Sequence, residues 1–196
     1  MKNYPQNLKE TAYHEAGHLV AAIIFKFNPK RATIIPNEDC DGYVIHDLMI
    51  QVFPDLCPWD VNEDKIKEVE ELRKKGFVDE YDDKEKLQEV GHKLVITALA
   101  GYEAQLKFNP DADASGSRKD IVNACDVFDK CGFPREELDD KSINYPDNDK
   151  LQEKTKEFVE ENWFWIEMGA YLLLLKKELN EDDIKPFSRE ILSPKE

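Results

Sequence analysis

The chain has 196 residues, of which 42 are acidic and 27 basic, giving a formal charge of −15 at pH 7. Such a charge repels phosphate and so excludes nucleic acid and anionic membrane as partners. The length and a hydrophobic content of 41% predict one globular domain, residues 1–196, with a sizeable core.

The first predicted element is a helix over about 8–26. Ala12, Ala16, Leu19, Val20, Ile23 and Phe27 recur at helical spacing and form one apolar stripe. Inside it stands His14-Glu15-Ala16-Gly17-His18. One turn of helix separates His14 from His18, about 40° apart around the axis, so both imidazoles can reach one metal ion. Glu15 projects beside them and suits a general base acting on a metal-activated water. With average residue usage, these three positions coincide by chance in only about one chain per few hundred of this size. The competing reading is a buried helix whose two histidines are satisfied by polar neighbours.

Residues 31–36 and 42–46 are rich in β-branched side chains and flank the turn-prone 37–41, which predicts a short β-hairpin. Two strands cannot stand alone, so the hairpin must pack near the metal helix. Its second strand, Gly42-Tyr43-Val44-Ile45-His46, is the candidate edge on which a peptide could be held as an added strand. The alternative is an ordinary strand covered by the Pro54- and Pro58-containing loop 51–59. His46 could stabilise a developing oxyanion, or it is an incidental exposed histidine. Residues 62–75 read as a charged helix ending at Gly76.

A long amphipathic helix is predicted over 83–108. Gly91 and Gly101 each cost it about 1 kcal/mol relative to alanine, which points to close packing there. His92 reads as a polar interior neighbour or a surface residue. The polar stretch Ser115-Gly116-Ser117-Arg118-Lys119-Asp120 opens a helix running to about Cys131, with Ile121, Ala124, Cys125 and Phe128 on its apolar face. A catalytic zinc takes three protein ligands, and the third must come from His46, His92 or a carboxylate. Asp120 is the best carboxylate candidate, although its place in a first helical turn is equally explained by the helix dipole. The last long helix is predicted over 150–179. Its apolar run 163–175 contains Glu167 and falls short of the roughly 20 residues of a membrane span, so it reads as a buried helix.

Four cysteines, Cys40, Cys57, Cys125 and Cys131, lack zinc-ribbon spacing and read as reduced thiols. The first residues carry no apolar secretion segment. Both features predict a cytoplasmic protein.

These residues resemble a family. Ala12-Tyr13-His14-Glu15-Ala16-Gly17-His18 is similar to the zinc helix of FtsH-type ATP-dependent zinc proteases. Ala32-Thr33-Ile34-Ile35-Pro36 and Gly42-Tyr43-Val44 resemble the short strands that follow in that family. Ala98-Leu99-Ala100-Gly101-Tyr102-Glu103-Ala104 resembles its second long helix, and Ser115–Asp120 the block that supplies its third zinc ligand. Residues 167–184 are similar to its closing helices. The blocks keep their order across most of the chain. The resemblance implies a mainly α fold with a small hairpin, zinc held by His14, His18 and Asp120, and peptide hydrolysis with Glu15 as base. Tyr102 stands where the family has arginine and Gln105 where it has glutamate. The acidic stretches 54–86 and 133–150 look like insertions. No G-x-x-x-x-G-K-[ST] loop is present, so the expected peptidase uses no ATP and acts on flexible or unfolded polypeptides. The alternatives are an inactive zinc-binding relative serving as an interaction or regulatory module, and a zinc hydrolase of another carbonyl substrate.

Overall fold

A computed structural model describes residues 4–38, 40–46, 84–113, 118–131 and 149–193. It is mainly helical, with one small sheet. The elements are α1 (Gln6–Ile24), β1 (Pro29–Thr33), β2 (Tyr43–His46), α2 (Lys84–Phe108), α3 (Arg118–Lys130), α4 (Asp149–Glu161), α5 (Trp163–Lys176), β3 (Glu178–Asn180) and α6 (Glu181–Leu192). The expected loop 51–59 and helix 62–75 lie outside the described residues. So do the acidic stretches, apart from the first turns of α2 and α4.

α1 is the central element. Pro5 precedes its first turn, where the missing N–H costs nothing. At its other end Lys26 adopts φ 61°. The Phe27 amide donates back to the Ala22 carbonyl at 2.8 Å and the Lys26 amide to Ile23 at 3.0 Å. This paired closure normally uses glycine at the left-handed position. The body of α1 is buried on several sides, because two cores share it. One joins Ala12, Ala16, Leu19 and Val20 to Ile34, Ile166, Leu173, Leu179 and Ile184. The other joins Ala22 and Phe27 to Leu94, Val95, Leu99, Ala124, Val127 and Leu151.

Small residues set how closely α2 approaches α1. A Cβ on Gly17 would stand 2.3 Å from the Ala100 carbonyl oxygen and 3.0 Å from the Ala104 Cβ. The two backbones therefore touch, and side chains just beyond this contact are forced together.

The predicted hairpin is present, and it gains a third strand. The sheet runs β2-β1-β3, antiparallel throughout. Ala32 faces Val44 on one side and Leu179 on the other. β3 and its neighbours correct the expectation of one helix over 150–179. That stretch breaks at Asn162 and again at Lys177, which adopts φ 71°. The Ile34 amide then bonds the Lys177 carbonyl at 2.9 Å, and Arg31 bonds Glu178 Oε2 through Nε at 3.0 Å and Nη2 at 2.6 Å. α6 starts on a capping box: Asn180 Oδ1 accepts from the Asp182 and Asp183 amides, while Asp183 Oδ2 accepts from the Asn180 amide. Among the described residues no helix is long and apolar enough to cross a membrane.

Candidate metal centre

α1 presents His14 and His18 toward α2 and the first turn of α3, where Asp120 stands, and Glu15 toward Gly42. His14 Nε2 lies 3.0 Å from Asp120 Oδ2 and 3.0 Å from His18 Nε2, and His18 Nε2 lies 3.6 Å from Asp120 Oδ2. The three atoms are brought together from positions as far apart as 106 residues.

The far side of each ring decides what these atoms are. His14 Nδ1 donates to Gln105 Oε1 at 3.1 Å, and His18 Nδ1 donates to the Thr97 carbonyl at 2.8 Å. Thr97 offers only an acceptor there. Gln105 is oriented by its own amide nitrogen, which donates to the Asp113 carbonyl at 3.5 Å, so its oxygen faces His14. With each Nδ1 protonated, a neutral ring turns an Nε2 lone pair inward. Two lone pairs and a carboxylate oxygen then face one point. Only a positive species stabilises that arrangement. A proton joins two of the three atoms, whereas a central cation meets all of them. Ligands about 2.0–2.1 Å from a tetrahedral zinc stand about 3.3 Å apart, and the observed 3.0, 3.0 and 3.6 Å bracket that spacing. The donor set of two imidazoles and one carboxylate also suits zinc. The three side chains keep 11, 12 and 23% of their surface open, so solvent reaches them.

Glu15 is buried, and among the described residues its Oε2 has no hydrogen-bond partner. Burial pushes its carboxyl up to about 7, against the pull of His14 and His18 and helped by Asp120 and Asp41. An unpartnered buried carboxylate oxygen is costly to keep. Burial disfavours charge on His18, but the Asp120 carboxylate, Glu15 and the Thr97 carbonyl hold its pKa up to about 9. Desolvation raises the Asp120 carboxyl, but His18 and His14 draw it well below the usual carboxylate range. Ligands in such a state exchange protons for metal when one binds.

Compared with protein-family models and with curated proteins, the chain matches none. The site therefore stands on its residues.

The structure brings together every residue singled out for the metal and the base. Gly42 also reaches the site: a Cβ there would stand 2.7 Å from Glu15 Oε1. Tyr43 and Val44 follow on β2, an edge strand among the described residues. His46 is not the exposed histidine expected. It is buried, stacked on Phe27 at a centroid distance of 5.4 Å, and its pKa is pushed down to about 4 by burial and by His18. His92 is half-buried on α2. Sequence reasoning missed the orienting roles of Thr97 and Gln105. It anticipated close packing at Gly101 without its target, the His18 ring, whose Nε2 would stand 2.4 Å from a Cβ there. It also gave Cys40 no place near the site, yet burial and then the charge of Glu15 raise that thiol. No local pattern carries these roles, since each depends on contact between distant elements.

Proposed function

We propose that this protein is a zinc-dependent peptidase that hydrolyses flexible or unfolded polypeptides without nucleotide in a cytoplasmic, reducing setting. One observation carries the reading. Two imidazoles, locked by Gln105 and Thr97, and Asp120 aim acceptor atoms at one point beside the unpartnered Oε2 of Glu15. The resemblance to FtsH-type zinc proteases supports it.

His14, His18 and Asp120 would hold the ion. Zinc bound there supplies Lewis acidity, polarising a carbonyl and acidifying water. Glu15 takes the proton from the attacking water and passes it to the leaving amine nitrogen. Asp120 would supply the one negative charge among the three ligands. The edge of β2 at Gly42, Tyr43 and Val44 receives the substrate main chain as an added strand. Gly42 leaves Glu15 room that any side chain would take.

The test is hydrolysis of a peptide library by wild type and Glu15→Gln at matched zinc content. Glu15→Gln keeps the metal, because that side chain is not a ligand, and loses about 10²–10⁴-fold in rate. Equal rates exclude the mechanism. Two silent, fully zinc-loaded proteins favour the inactive binding-module reading instead.

A further inference from the structure

The contacts of α1 with α2 run in opposite chain directions: Glu10 meets Asn109, His14 meets Gln105 and Gly17 meets Ala100. Two of these are polar rungs. His14 Nδ1 donates to Gln105 Oε1 at 3.1 Å, and Asn109 Nδ2 donates to Glu10 Oε1 at 2.8 Å. Glu10 and His14 stand one turn apart on α1. Asn109 stands one turn after Gln105, and its amide closes the end of α2 on the Gln105 carbonyl at 2.8 Å.

The second rung does more than join two helices. Asn109 Oδ1 accepts from the Asp111 amide at 3.3 Å, and the Asn109 carbonyl accepts from the Ala112 amide at 3.0 Å. Both bonds fold the chain back directly after α2. The turn so formed brings the Asp113 carbonyl to Gln105 Nε2 at 3.5 Å. That length is beyond the usual range for such a bond, so a small shift of the turn breaks it. A primary amide has one accepting end and one donating end. Without the Asp113 carbonyl to receive its nitrogen, the Gln105 amide can turn its NH2 to His14, where two donors would face each other. The ring then loses the acceptor that keeps Nδ1 protonated and Nε2 aimed at the metal.

We propose that Asn109 is a positioning residue for the metal centre. It shapes the turn that sets the Gln105 amide, and that amide orients His14. Glu10 ties the turn to the helix that carries the ligand, so α1 supplies both the ring and the fixed point from which the ring is aimed. The inference rests on the reading of His14, His18 and Asp120 as zinc ligands.

Zinc affinity of the full chain, read by chelator competition in two backgrounds, tests it. In the wild-type background Asn109→Ala lowers affinity about tenfold. In a Gln105→Glu background the same change costs less than about twofold, because both oxygens of a carboxylate accept and its orientation no longer matters. Simple loosening at the end of α2 would cost the same in both backgrounds. Equal losses therefore overturn the proposal, and so does an Asn109→Ala chain that binds zinc as tightly as wild type. Should Asn109→Ala fold poorly, Glu10→Ala removes the anchor and keeps Asn109. Its loss must also shrink in the Gln105→Glu background, and an undiminished loss overturns the proposal. A wild-type chain that binds no zinc removes the metal reading and this inference with it. Zinc bound by wild type without the coupling removes the inference alone.

Discussion

α1 and α5 lie against each other and divide their surfaces in opposite ways. α1 reads as an amphipathic helix with polar residues to spare, yet it buries His14 and Glu15 along with its alanines, Leu19 and Val20. α5 reads as a core helix, yet it leaves Phe164, Met168, Tyr171 and Leu175 in water. Both run against the ordinary partition of polar outside and apolar inside. A buried polar group or an exposed large apolar row is the informative departure. In α1 the departure is a cluster of polar groups that could hold a metal ion, kept in place by partners on α2 and α3. In α5 it is an exposed apolar row.

The sharpest test of that contrast uses two leucines on one helix. Leu173 is fully buried against α1 and Leu175 is about half exposed. In dilute solution Leu173→Ala should cost about 2–5 kcal/mol, and Leu175→Ala should stay within about 0.5 kcal/mol. Urea denaturation measures both. Equal costs would mean that the outer face of α5 is part of the core after all.

Next in size is a probe of how α1 keeps its polar interior. Gln105→Leu removes the acceptor from His14 Nδ1 without touching a ligand. Zinc affinity, read by chelator competition, should fall about 10–100-fold, while the melting temperature of the zinc-free protein changes little by comparison. Unchanged affinity would show that His14 is oriented by other means.

The smallest expected effect concerns what the two helices share. Each ends on a lysine with positive φ, Lys26 at 61° and Lys177 at 71°. A left-handed residue other than glycine costs about 1–2 kcal/mol, and glycine's extra freedom in the unfolded chain returns about 0.5–1 kcal/mol of that. Lys26→Gly should therefore stabilise by up to about 1 kcal/mol in thermal or urea unfolding. A loss of stability would mean that the lysine side chain matters more than its backbone.

The same contrast explains what could be read in advance. His14, Glu15 and His18 were legible because their relation is local, a spacing of one helical turn. Asp120 was legible only as one of two equal readings until its polar run was set beside the family's third-ligand block. The hairpin followed from its β-branched runs. β3 did not, because Glu178–Asn180 follows the leucine-rich end of α5 with no glycine or proline to mark a break. Its extended form depends on pairing with β1. The water-facing side of α5 was hidden for a related reason: an all-apolar helix carries no periodic signal of which face is covered.

The sheet has a consequence for how the protein is made. β1 and β2 are near neighbours in sequence, but Arg31 and its partner Glu178 are 147 positions apart. At about 5–20 residues per second, a ribosome takes about 7–30 s to cross that interval. Throughout it a hairpin emerging from the ribosome has no β3 to cover the far side of β1, and unpaired strand edges recruit other chains. The exposed backbone groups of β1 make the half-made form a target for another extended chain.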